Sequence, residues 1–258
     1  IAVFITWYTT WEAKDVQQES TFKVDSQRSS GIVNHLKYLV LDLFSSFRIR
    51  AFRLHIIIYI FSFTAMDVFG SVFTYYVVYC LSQDAAAVSG WLSVAAFASV
   101  PGTYGFMLLL NRLNMTPSGA LRLSYSCIFL VLAFLFTVYL TKTQVPTLLF
   151  SAVFILLGAA RSGLYYIPWN IYSFIPDIDE MVTQQRREGI FAGVMVLTRK
   201  STVAIAIMII GLVLQESGFV KGGGAQPESA LGAIIGLMIF ATAALLAVSF
   251  FTTYKFKL

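Results

Sequence analysis

Long apolar runs broken by short polar connections make up most of this chain. Crossing a bilayer takes about 20 apolar residues, and six stretches reach that length: 54–81, 86–110, 121–141, 147–172, 190–214 and 230–253. The expected fold class is therefore an all-α membrane protein whose spans form a six-helix bundle over residues 54–258. Residues 1–8, "IAVFITWY", read as the end of a preceding transmembrane helix. Residues 9–53 read as a polar cytoplasmic linker, and its second part, "GIVNHLKYLVLDLFSSFRIRAFR", alternates apolar and basic positions. That pattern suits an amphipathic helix lying on the membrane surface. Ile1 is not an initiator and no secretory leader is visible, so the chain reads as part of a longer protein.

Composition supports lipid as the solvent. Hydrophobic residues make up 58% and charged residues 12% of the chain, with a mean hydropathy of +0.76. A soluble domain carries roughly 25% charged residues. The formal net charge of +5 raises nucleic-acid binding, but the cations sit between apolar runs and form no coherent basic face. No nucleic-acid partner is expected. Cys80 and Cys127 both lie in apolar helical sequence and read as small packing residues.

The cations also set an orientation. Lys and Arg cluster in 9–53, at Arg112 and Arg122, at Arg186 and Arg187, and at Lys255 and Lys257. The opposite side holds Lys142 and Lys221. By the positive-inside rule both ends of the chain are cytoplasmic, in a multi-pass protein expected in a bacterial inner membrane.

Asp67, Arg161, Arg199 and Lys200 remain inside spans. At about 1.5 Å rise per residue, Asp67 lies roughly 20 Å, Arg161 roughly 21 Å and Lys200 about 15 Å from the cytoplasmic face. An ionisable group near the bilayer centre costs at least about 2.5–3.5 kcal/mol unless paired or wetted. Two readings follow: Asp67 pairs with Arg161 or Lys200 to lock helices together, or the group lines a hydrated cavity among spans one, four and five. Arg199 and Lys200 point about 100° apart, so one faces the cavity and the other a neighbouring helix or the cytoplasmic half. Spans three and six carry no charge at depth, which suits peripheral, lipid-facing helices.

Aromatic positions extend the candidate cavity. Tyr165, Trp169 and Tyr172 are spaced i, i+4, i+7 and share one helix face, with Pro168 expected to loosen the helix beside Trp169. Rings next to a cation suit a sugar or an amphiphile, whereas an interfacial aromatic belt is the plainer alternative. Phe63, Asp67, Gly70 and Thr74 form a stripe on span one, where Gly70 admits a close neighbour or ligand. His55 is expected as a surface residue at the cytoplasmic edge. Gly102 and Gly105 follow Pro101 and serve either bending or packing. No Walker loop, metal-spaced Cys/His cluster or Ser/His/Asp set is present. The run "KGGGAQPES" is a loop rather than a phosphate cradle, and no enzyme is expected.

The stretch "IPWNIYSFIPDIDEMVTQQRREGIFAGVMVLTRKSTVAIAIMIIGLVLQESGF" resembles the glycoside–pentoside–hexuronide:cation symporters, the melibiose permease family within the major facilitator superfamily. The matching features are Pro168–Trp169, the loop acids Asp177 and Asp179, Arg186–Arg187–Glu188–Gly189, Lys200 and Gly218–Phe219. "TYYVVY" at 74–79 and "AQPESALGAIIGLM" at 225–238 add weaker likeness, so the resemblance covers roughly 45–258. The resemblance implies the C-terminal half of a twelve-helix transporter, with 9–53 joining the halves. Lys200 then faces the central cavity, and Asp177, Asp179, Arg186 and Glu188 form a cytoplasmic gate. It also implies cation-coupled symport of a sugar, glycoside or hexuronide. Coupling Na⁺ or H⁺ would be bound mainly by an N-terminal six-helix half, and no other cofactor or metal is expected. Arg161 and Arg199 are additions to the common pattern and favour an anionic substrate. The candidate cavity set read from depth and helix faces, with Lys200 alone also matched by the resemblance, is Asp67, Thr74, Arg161, Tyr165, Trp169, Arg199 and Lys200. Two competing functions remain: a lysolipid or other amphiphile carrier of the same family, and a non-transporting receptor or scaffold on the same helices.

Overall fold

The computed structural model describes residues 47, 49–142, 145–183, 188–222 and 224–256, all within one compact unit, Ser45–Leu258. The readings placed on 1–46, and Arg186 of the expected gate, lie outside the described residues. The elements are α1 (Arg50–Tyr75), α2 (Ala85–Asn111), α3 (Pro117–Thr141), α4 (Thr147–Tyr172), α5 (Ile175–Thr183), α6 (Glu188–Glu216), α7 (Glu228–Ile235) and α8 (Thr242–Lys255). Wider π-helical turns extend α1 through Tyr76–Cys80 and join α7 to α8 through Gly236–Ala241. Among the described residues there is no strand, and six helical segments are long and apolar enough to cross a membrane. The expected all-α, six-span architecture is the one found, and it is consistent with half of a major facilitator.

Local chemistry sets the helix ends. Thr116 caps α3 by accepting a hydrogen bond from the Gly119 amide at 3.2 Å, and Pro117 occupies the first turn, where its missing N–H costs nothing. The connection after α6 turns at Gly218, whose φ of +78° suits glycine. The Gln226 side chain then brackets Val220, accepting from its amide at 3.0 Å and donating to its carbonyl at 2.8 Å. Pro101 and Pro168 both lie inside continuous helices. The expected loosening at Pro168 therefore leaves no break in α4.

α1 and α4 are the central helices. α1 packs on α8, α6 and α4, whereas α4 packs on α2, α3 and α1. Close helix approach depends on small residues. A Cβ added at Gly158 would fall on the Ala95 carbonyl of α2, and one at Gly102 would meet Ala159 of α4 at 2.6 Å. Gly102 is thus a packing contact, whereas Gly105 faces open space. A buried polar knot ties α1 to α3 and α8: the Ser62 hydroxyl lies 2.8 Å from the Tyr125 hydroxyl and donates to Ser249 at 3.2 Å. Ser249 in turn donates to the Ile58 carbonyl at 3.2 Å.

Two expectations about periphery and edge change. Spans three and six, expected outside, pack on α4 and α1 and on each other. The least buried spans are α2 and α6, each with 11% of its apolar window buried against 39% for spans three and six. Lack of charge at depth does not predict exposure, because Ser62, Tyr125 and Ser249 make specific contacts without any charge. His55, expected at the surface, is fully buried. Helix α1 starts at Arg50 rather than 54, so His55 already sits more than a turn inside it.

Candidate functional site

Four side chains on α1 recur at every fourth residue: His55, Tyr59, Phe63 and Asp67. At 1.5 Å per residue they form a track of about 18 Å. α4 runs antiparallel and supplies matching partners. His55 lies against Tyr172 with ring centroids 6.5 Å apart, Tyr59 against Trp169 at 5.9 Å, and Phe63 against Tyr165 at 4.6 Å. The last two pairs meet edge to face, the preferred aromatic geometry. The shared face read for Tyr165, Trp169 and Tyr172 is therefore the face that meets α1. Sequence reasoning passed over Tyr59, whose four-residue spacing from Phe63 was the available signal.

At the deep end of this track the charges converge. The Arg199 guanidinium on α6 makes a two-pronged pair with Asp67 on α1. Nη2 donates to Oδ1 at 2.9 Å, and Nη1 lies 2.5 Å from Oδ2. The first contact is a charge-assisted hydrogen bond, the strong kind; the second is an ion-pair approach without hydrogen-bond geometry. The guanidinium also lies over the Phe63 ring at 5.3 Å. Asp67 thus pairs with Arg199 rather than with Arg161 or Lys200, the two partners expected from sequence. Depth alone could not rank three cations; the fourfold spacing from Phe63 to Asp67 turns both toward α6.

Arg161 takes a neutral partner. It donates to the Tyr165 hydroxyl at 3.0 Å and lies 5.1 Å from the same ring. Lys200 is exposed, and among the described residues it makes no ion pair. Thr74 and Gly70 are exposed on α1, and a Cβ at Gly70 would meet nothing within 4 Å. Trp169 is 45% exposed, so much of its side chain is open. The Asp67 and Arg199 side chains keep 25% and 20% exposure. The Asp67 Oδ2 and Arg199 Nη1 atoms are themselves buried, so the open part of the pair lies on its other atoms.

The residues expected to form a gate do not share one setting. Asp177 and Asp179 lie on helix α5 rather than in a loop. Two residues apart, they face opposite ways: Asp177 is exposed in the first turn, where the helix dipole favours it, and Asp179 is completely buried. Glu188 is exposed in the first turn of α6, and its backbone carbonyl accepts a 3.1 Å hydrogen bond from the Tyr172 hydroxyl. That bond ties the end of α4 to the start of α6 across α5. Cys80 and Cys127 are free, half-buried thiols.

Six bilayer-length helical segments thus carry an intramembrane ion pair with exposed cationic and aromatic side chains on the same helices. The family model described as MFS/sugar transport protein matches residues 1–258, and the chain belongs to that family. One curated relative, an uncharacterized symporter of Synechocystis sp., is 30% identical over 227 residues. The match covers 84% of this chain and 40% of that protein, so the chain spans well under half the length of the relative.

Proposed function

We propose that this chain is the C-terminal half of a cation-coupled sugar, glycoside or hexuronide symporter of the melibiose permease type. In this reading 54–258 is the transmembrane bundle, 9–53 is the cytoplasmic link to an N-terminal six-helix half, and 1–8 ends that half's last helix. Both ends of the chain are cytoplasmic, in a bacterial inner membrane. Substrate binds near the midplane between the two bundles and is released by alternating access.

The observation that carries this reading is the chain of side-chain contacts across α1, α4 and α6, linked through the buried Tyr59 and Phe63. It joins an open indole, Trp169, to Arg161, Tyr165 and the Asp67–Arg199 pair. A sugar ring stacks on the indole face while its hydroxyls bond the guanidinium and phenol groups. The candidate set holds three cations, Arg161, Arg199 and Lys200, against one carboxylate, Asp67. That excess of positive charge favours a sugar bearing a carboxylate over its neutral counterpart. Coupling Na⁺ or H⁺ enters with the substrate, and no bond is made or broken in it.

Uptake into vesicles reconstituted with the full-length protein tests the proposal. Phenyl glucuronide and phenyl glucoside are offered under an imposed Na⁺ or H⁺ gradient. Gradient-driven accumulation of at least one is expected, with the glucuronide ahead. Accumulation of neither, with transport of a lysolipid instead, overturns the sugar reading.

A further inference from the structure

We propose that Asp67 is a proton-coupling group of this half: an anionic ligand that captures Arg199 leaves the Asp67 carboxylate to bind one proton, so that anion and proton enter together. This rests on the reading above that the α1–α4–α6 surface is the substrate site, and it assigns the coupling of charge within it.

The first support is the position of the pair. Among the described residues Asp67 is the one carboxylate set deep in a membrane span. It is held to the neighbouring helix by Arg199 alone, through both of its oxygens. The pair is only partly sealed: Asp67 Oδ2 and Arg199 Nη1 are buried, while each side chain keeps a fifth to a quarter of its surface open. A ligand carboxylate reaching the guanidinium would thus compete directly with Asp67 for the same positive charge and its Nη2 donor.

The second support is that the two partners fare differently when separated. Arg199 keeps the Phe63 ring beneath its guanidinium, so it has a second anchor when Asp67 lets go. Asp67 has none. An ionised carboxylate at membrane depth without a partner is costly, and such groups are neutralised rather than left charged.

The charged and polar groups on α1 and on the helices packed against it set what else can compensate Asp67. α6 brings Arg199 and Lys200, and α4 brings Arg161, which is engaged by Tyr165. α1 brings Tyr59, whose hydroxyl lies within electrostatic reach of Asp67, Arg199 and Tyr165. α8 packs on α1 through Ser249, a neutral hydroxyl bonded to Ser62 and to the Ile58 carbonyl. Lys200 is the one cation here without an ion-pair or hydrogen-bond partner among the described residues, and it points about 100° away from Arg199. A proton therefore remains as the compensating charge. The balance closes: one anion bound at the guanidinium, one proton taken from solution to an Asp67 oxygen, and no net change of charge in the site.

Proton uptake is measured with a pH-sensitive dye on the full-length protein in lightly buffered nanodiscs, titrated with phenyl glucuronide. Wild type should take up close to one proton per glucuronide bound and none with phenyl glucoside, and Asp67→Asn should abolish the uptake per ligand bound. Binding without proton uptake in the wild type, or undiminished uptake in Asp67→Asn, overturns the proposal. A ligand-free arm separates this failure from failure of the substrate reading. Arg199→Gln should by itself produce a protonated carboxyl band in the infrared spectrum, absent from Asp67→Asn/Arg199→Gln. Arg199→Lys, which keeps the charge, should not show it. No such band in Arg199→Gln sinks the proposal whether or not the glucuronide binds.

Discussion

Asp67 and Arg199 show how far single residues can be read. Their depth and their exclusion from any loop follow from the apolar runs alone. Which cation pairs with Asp67 does not, because that depends on how α6 is rotated against α1. The same holds for Asp179, which the pattern places in a polar connection and the packing buries completely. Removing Arg199 (R199A) strands the carboxylate. A fully buried pair so broken costs about 3–5 kcal/mol; with a fifth to a quarter of each side chain exposed, about 1–3 kcal/mol is expected. The reciprocal exchange Asp67→Arg/Arg199→Asp should recover most of that loss in thermal melts of the full-length protein. Trp169 is argued at the same scale. Removing one stacking ring costs about 0.5–1.5 kcal/mol, so Trp169→Ala should weaken sugar binding by about 2- to 12-fold in titration calorimetry. Unchanged affinity would place the indole outside the site.

Spans were the most legible elements, since a hydrophobic run of bilayer length has few alternatives. Their ends moved by a few residues, enough to turn His55 from an edge residue into a buried one. Helix α5 was not read, because nine residues are too few for a periodicity to stand out from a polar connection. The π turns at Tyr76–Cys80 and Gly236–Ala241 leave no sequence pattern at all. Glycines gave an ambiguous signal that the geometry resolves. Gly158→Ala would drive its methyl into the Ala95 carbonyl and force α2 from α4, at about 1–3 kcal/mol or more. Gly105→Ala meets nothing within 4 Å and should be neutral or stabilising by up to about 1 kcal/mol. Equal melting temperatures for the two variants would contradict the close α2–α4 packing.

For the molecule as a whole, charge distribution and burial bear on different questions. The cations carry the proposed orientation, whereas burial marks α2 and α6 as the spans left most open within the chain. Orientation predicts that an impermeant amine reagent applied outside intact cells modifies Lys142 and Lys221 and spares Lys255. Modification in the opposite sense would invert the topology. The central claim is that α1, α4 and α6 together form a cation-rich sugar site. The most direct test is the ratio of phenyl glucuronide to phenyl glucoside uptake by the full-length protein, measured in wild type and in Arg161→Gln/Lys200→Gln at matched expression. The account predicts a ratio well above one that collapses toward one in the double variant. A ratio that the double variant leaves unchanged would contradict it.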